Sequence, residues 1–168
     1  MDIFTEQLAK RPLRKLDYML FFVVVAIIIL EIFFGVFVFR TGFFSLFIVA
    51  ISIYFGAKLV NSRFVEFEYI VTNGNITIDK IIAKKSRKNV FSFELSDVYE
   101  FVKYKKDTKL PDLKRMYDLQ TTGDAWCACF SDREFGRVGI VFSPTEKTLS
   151  AIKPFLKRQV AIDAFGRN

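Results

Sequence analysis

The chain has 168 residues, of which 52% are hydrophobic and 21 are Phe, with 25 basic and 18 acidic residues giving a net charge of +7. It contains no histidine, which removes His-based metal sites and both Ser-His-Asp and Cys-His catalysis. Two cysteines, Cys127 and Cys129, are too few for a disulfide framework and fit a reducing compartment.

The opening residues, Met1 to Leu16, place Ile3, Phe4 and Leu8 at helical spacing before Pro12. That pattern predicts either an amphipathic helix on a membrane surface or a disordered positive tail. Lys10, Arg11, Arg14 and Lys15 follow just before a long apolar run.

Two such runs dominate the first third of the chain. Tyr18 to Phe39 holds 22 residues whose one charge is Glu31, and as a helix it would be roughly 33 Å long, enough to cross a bilayer's hydrocarbon. Phe43 to Val60 is shorter, with Lys58 placed to reach back to headgroups. Only Arg40-Thr41-Gly42 separates them, so the expectation is a transmembrane hairpin with helices at about 17–39 and 43–60. A cleaved leader is disfavoured by the length of the first run and by the second span that follows it.

The basic residues also set an orientation. Lys10, Arg11, Arg14 and Lys15 precede the first span, and Lys58 and Arg63 flank the end of the second, against Arg40 alone in the turn. Both termini are therefore expected in the cytoplasm of a cell whose plasma membrane the hairpin crosses.

Glu31 is the oddity within the spans. An acid near mid-membrane is costly and needs a polar neighbour, and folding the hairpin at Thr41 brings Ser52 level with it. The plainer reading is a polar contact holding helices or protomers together. The sharper one is a proton or ion site.

After Arg63 the period changes to two. Phe64 to Val71 alternates, with Val65, Phe67, Tyr69 and Val71 on one face and Glu66 and Glu68 on the other. Asn73-Gly74 supplies a tight hairpin turn before Ile76, Ile78 and Ile82. Further strands are expected at Phe91–Leu95, Val98–Tyr104, around Lys114–Thr121, Ala125–Phe130 and Arg137–Phe142, making seven in all, antiparallel. The chain then reads as one amphipathic helix, with Ser143 as N-cap, Pro144 at its first position, and Leu149, Ile152, Leu156 and Val160 as its apolar stripe.

The charge excess is local: Lys80 to Arg115 carries 11 basic and 5 acidic residues. Lys84, Lys85, Arg87 and Lys88, with Lys103, Lys105, Lys106 and Lys109, are candidates for contact with anionic headgroups, since a short connection from Lys58 to Arg63 holds the domain near the lipid. The plainer reading is a pair of solvated loops that discourage edge-to-edge aggregation. Cys127 and Cys129 share one strand face but offer only two thiolates, so they read as small core residues, and no metal or cofactor site is expected. Nucleic acid is not an expected partner, because the aromatic residues beside the basic loops alternate as core residues do.

Seven strands closed by one helix is the layout of the pleckstrin-homology (PH) superfold. Glu68-Tyr69-Ile70-Val71-Thr72-Asn73-Gly74-Asn75-Ile76-Thr77-Ile78 resembles the first hairpin of bacterial PH-like domains, which commonly follow a pair of membrane helices, and the chain including Met1-Asp2-Ile3-Phe4-Thr5-Glu6-Gln7-Leu8 is similar to a bacterial family of small two-helix membrane proteins of unknown function. That resemblance implies an α+β membrane protein: residues 1–16 juxtamembrane, 17–60 a transmembrane hairpin, and 63–166 a cytoplasmic PH-like seven-strand barrel or sandwich capped by a helix. It implies no shared catalytic residues. The first hairpin loop, Asn73-Gly74-Asn75, lacks the basic residues with which eukaryotic relatives hold phosphoinositides.

Two functions follow as expectations. One is a non-enzymatic membrane anchor whose PH-like domain meets a protein partner, another copy of itself, or anionic lipid. The other is a small transport or sensing subunit acting through Glu31 in an oligomer.

Overall fold

The computed structural model describes residues 2–35, 43–105, 107–108, 110–119 and 121–166. It divides into two compact units, one formed by residues 1–11 together with 66–168, the other by residues 12–65. The expected end of the first span and the turn about Thr41 lie outside the described residues.

The smaller unit is a pair of helices, α1 (Lys15–Phe33) and α2 (Phe43–Asn61). Both are long and apolar enough to cross a membrane. The less exposed positions of α1 include Phe21, Val24, Ile28 and Glu31, spaced by three and four residues, and Gly35 follows just beyond the helix. In α2 the less exposed positions are Ser45, Val49, Ser52 and Gly56, so the contact is made largely by small side chains. A Cβ on Gly56 would sit 2.7 Å from Val24 Cγ1, and one on Gly35 would sit 2.6 Å from Ser45 Cβ. Glycine at both places lets the backbones approach. The outward positions carry Phe22 at 75% exposure and Phe44 at 76%, among many other large apolar side chains, far more than a water-facing surface carries.

The larger unit is two four-stranded sheets. The first has strand order β1-β2-β3-β4, comprising β1 (Phe4–Lys10), β2 (Val65–Thr72), β3 (Asn75–Ile82) and β4 (Ser86–Glu94). The second has order β5-β7-β8-β6, comprising β5 (Val98–Lys103), β6 (Arg115–Asp118), β7 (Trp126–Asp132) and β8 (Gly136–Phe142). Phe67, Tyr69, Val71, Ile76 and Ile78 of the first sheet are buried, as are Phe101, Ala128, Phe130, Val138, Ile140 and Phe142 of the second. Tyr69 meets Phe142 edge-on at 5.4 Å, and Phe93 stacks on Phe130 at 4.3 Å. The core therefore lies between the sheets.

Three expectations need correction. The first is the N-terminal segment: Phe4–Lys10 is a strand, pairing antiparallel with β2 from Phe4↔Thr72 to Lys10↔Glu66. Its alternation is inverted, because small or polar Thr5 and Ala9 are buried while Phe4 and Leu8 are 64% and 52% exposed. That inversion is what imitates a helical period, and it moves residues 4–10 out of the expected juxtamembrane segment and into the unit of two sheets.

The second correction is to the sheet pattern. Eight strands are described, and β6 runs parallel to β8, Arg115↔Val138 through Asp118↔Val141. Every other pairing with a defined register is antiparallel.

The third is the C-terminal helix, which is two. α3 (Glu146–Ile152) is capped by Thr145, whose side chain accepts from Thr148 N, and not by Ser143, which is buried with its Oγ accepting from Thr121 N at 3.2 Å. A 3-10 turn at Lys153–Phe155 contains Pro154, which has no N–H and whose ring clashes with the carbonyl four residues back. α4 (Arg158–Phe165) then sets off along β5, with Phe165 against Trp126 at 5.4 Å. Ile152, Leu156 and Val160 are buried all the same, each from its own segment.

One side chain ties the N-terminal strand to this end of the chain. Gln7 Nε2 donates to Ser143 O at 2.9 Å, while its Oε1 accepts from Thr145 N at 2.8 Å and Thr148 Oγ1 at 2.7 Å. Gln7→Leu leaves those partners unmatched, and should lower the unfolding free energy of the full chain in detergent by about 2 kcal/mol.

Because Lys10 and Glu66 are paired neighbours, the 55 residues between them are an insertion at a hairpin position. Replacing Arg11–Val65 with Asn-Gly should give a water-soluble monomer that unfolds cooperatively, read by gel filtration and thermal circular dichroism. An aggregate without a transition would show that the unit does not stand alone.

Candidate functional site

The chain leaves the first sheet for the two apolar helices at Lys10 and returns to it at Glu66. β2 and β3 join by the tight turn Asn73-Gly74, and β3 and β4 are antiparallel. The β3–β4 turn at residues 83–85 therefore lies at the same end of the sheet as Lys10 and Glu66, with four strands spanning only about 14 Å.

That end is basic. Lys84 and Lys85 are exposed, and Lys80 stands opposite Lys88 across the two strands. Like charges placed so are unfavourable unless an anion or solvent separates them. The turn itself is held by Lys85 N donating to Ile82 O at 3.0 Å, with Ala83 and Lys84 at φ +51° and +56°. Neither is glycine or asparagine, and the left-handed conformation costs each residue about 1–2 kcal/mol. Asn73-Gly74 solves the same geometric problem in the other hairpin without that cost.

Arg87 belongs elsewhere. Its guanidinium pairs with Glu68 and lies 3.7 Å from Asp79 Oδ2, and Asn89 Nδ2 donates to Asp79 Oδ1 at 2.9 Å. Glu68 is only 2% exposed. Burial, then a hydrogen bond with Glu6, push the Glu68 carboxyl above the ordinary glutamate range, against the pull of Arg87 beside it.

The second basic group is not gathered with the first. Lys103 ends β5 and forms an exposed pair with Asp124 at 2.6 Å, and the Lys105 amide donates to Thr108 Oγ1 at 2.7 Å. Both stand at the end of β5, in the second sheet or just after it. Lys106 and Lys109 lie outside the described residues.

The six basic residues flanking the helices fall into different settings. Lys10 closes β1 at 4.0 Å from Glu66, while Arg11 follows it. Arg14 precedes α1, its amide donating to Asp17 Oδ2 at 2.9 Å, and Lys15 opens the helix. Lys58 lies in the last turn of α2, and Arg63 N donates to Val60 O at 3.0 Å just beyond it.

Within the helix pair, Ser52 Oγ donates to Glu31 Oε1 at 2.7 Å. Glu31 Oε2 is buried and has no hydrogen-bond partner among the described residues. The two residues that the sequence brings level are thus in contact, with half of the carboxyl unmet.

Cys127 and Cys129 have their sulfurs 3.8 Å apart, both fully buried, against Val102, Tyr104, Leu110, Leu113 and Val141. The hydrogen bond between them and burial push the Cys129 thiol far above the usual thiol range. The same hydrogen bond lowers the Cys127 thiol against its burial, so of the two only Cys129 is held firmly as a protonated packing group. Among the described residues no group of three or more Cys, Asp or Glu is arranged to hold a metal ion.

Two features escape a sequence reading. The row Glu6, Glu68, Asp79 and Arg87 draws one residue from each strand of the first sheet, and nothing local shows that those strands align. That Lys10 and Glu66 share an end of the sheet with the basic turn depends on β1, whose inverted pattern conceals it. The one usable signal is Lys84 and Lys85 within a short turn between two strands.

A family model described as a bacterial PH-like domain (DUF6106) covers residues 1–162, which includes β1 and both apolar helices as well as the two sheets. No curated protein and no solved structure matches the chain. With the match running from the first strand almost to the end of α4, the chain belongs to the bacterial PH-like domain family.

Proposed function

We propose that this is a non-enzymatic, membrane-anchored protein of the bacterial plasma membrane, with both termini cytoplasmic, whose PH-like domain applies the basic β3–β4 end of its first sheet to anionic headgroups. The observation that carries the reading is topological: the turn holding Lys84 and Lys85 shares its end of the sheet with the strands that lead to and from the apolar helices. The connections, residues 11–14 and 62–64, are short. They keep that end near the bilayer, where the Debye length is about 8 Å and each basic residue gains about 1 kcal/mol from an anionic leaflet. The like-charge pair Lys80 and Lys88 and the left-handed Ala83-Lys84 turn both become intelligible if the group waits for an anionic surface. Contact with another protein, or with a second copy, stands as the competing use of the same end.

In nanodiscs of phosphatidylglycerol, the amides of residues 80–90 should exchange about tenfold more slowly than in phosphatidylcholine, and Lys84→Glu/Lys85→Glu should abolish the difference. Equal exchange in the two lipids would exclude the lipid role.

A second reading, a small transport or sensing subunit acting through Glu31 in an oligomer, is favoured by the unmet oxygen of that carboxyl. The contact with Ser52 favours the plainer role of holding the helices together. On that role Ser52→Ala should weaken the helix pair by about 1 kcal/mol by steric trapping in bicelles, and Glu31→Gln should leave it close to the parent. A proton or ion flux in proteoliposomes that disappears with Glu31→Gln would establish the second reading instead.

A further inference from the structure

On the outer face of the first sheet, Glu6 of β1, Glu68 of β2, Asp79 of β3 and Arg87 of β4 form a row that crosses all four strands. The charges do not balance. Three carboxyls share one guanidinium, which pairs with Glu68 and reaches Asp79, while Asn89 supplies Asp79 with a neutral donor. Glu6 stands opposite Ile70 and therefore diagonal to Glu68 across the β1–β2 ladder, close enough for the two side chains to meet. Its neighbours in the row offer it no cation. Lys10 serves Glu66 one step along the ladder, and Lys80 and Lys88, by alternation from Asp79 and Asn89, stand on the opposite face.

Glu68 is buried while Glu6 is exposed beside it, and two neighbouring carboxylates, one of them out of water, repel unless a proton joins them. β1 feels that repulsion most. It is an edge strand, hydrogen-bonded along one side only, and Glu6 is its sole member of the row.

We propose that the Glu6–Glu68 pair is a proton-operated latch: with one proton shared between the carboxyls β1 is fastened to β2, and loss of that proton loosens β1, the strand that leads into α1. No bond is made or broken other than the O–H, and the proton goes to solvent past the exposed Glu6 side. The direction of the effect follows from the state of Glu68. Its carboxyl is raised in the folded chain, so its contribution is present below the ordinary glutamate value and is lost as pH rises through the raised one. The inference does not depend on whether the basic turn meets lipid.

Hydrogen exchange of the full chain in detergent, corrected for the intrinsic rate at each pH, reads the latch directly. Between about pH 4.5 and pH 8 the protection of amides 4–10 should fall about tenfold, while that of β7 and β8 stays constant. Glu6→Gln and Glu68→Gln should each flatten the profile, since either leaves a neutral amide beside one carboxyl. Gln7→Leu serves as the control, lowering protection at every pH without changing its slope. A flat profile in the parent chain, or a slope that survives in both glutamine variants, would overturn the proposal.

Discussion

The antiparallel pairing of Phe4–Lys10 with Val65–Thr72 joins segments that are separated by two apolar helices, and the remaining architecture leans on it. Closing a flexible loop of that length would cost about 3–4 kcal/mol of chain entropy. The helix pair removes most of that cost, because α1 and α2 run back beside each other and return the chain to its starting point, with Val24 against Gly56 and Phe21 stacked on Phe64. What β1 has to close is then a gap of a few residues at each end. In the order of the chain, the helix pair occupies the place of a long turn between two paired strands of the first sheet.

Once β1 is in place it organises both faces of its sheet. Towards the C-terminus, Gln7 meets Ser143, Thr145 and Thr148 and so fixes where α3 begins. This explains why Thr145 rather than Ser143 caps the helix: Ser143 is used earlier, its hydroxyl accepting from Thr121 and its carbonyl from Gln7. On the outer face, β1 completes the row of Glu6, Glu68, Asp79 and Arg87. That row takes Arg87 out of the basic group to which its position in the sequence assigned it, and among the described residues leaves Lys84, Lys85 and the Lys80–Lys88 pair without an ion-pair partner at that end.

The parts of the fold legible in the sequence were those written in local periodicity. The two apolar runs, the alternation from Val65 to Val71 and the Asn73-Gly74 turn each carry their own signal within ten or twenty residues. So does the pairing of Glu31 with Ser52, since antiparallel helices of known rise bring fixed positions level. β1 failed because its buried face is Thr5, Gln7 and Ala9, and its exposed face holds Phe4 and Leu8, so polarity pointed the wrong way. The C-terminal helix failed for another reason: the stripe through Leu149, Ile152, Leu156 and Val160 was taken across Pro154, although proline inside a helical pattern ends it. The parallel β6–β8 pair rests on a contact made across the chain and has no local signature.

Basic residues that look equivalent along the chain are sorted by topology into different physical roles. Lys103 is paired on the surface of the second sheet, Arg87 balances buried acids, and Arg14 stands at the start of a helix, so their charge is already engaged or remote. Lys84 and Lys85 sit in a strained turn at the end of the sheet from which the chain departs. Charge that is exposed, unpaired and held at a cost in backbone strain is the kind that selection has reason to keep for an external anion. On the proposed reading, membrane-crossing helices would keep an anionic leaflet always within reach, which favours that surface over a diffusing partner.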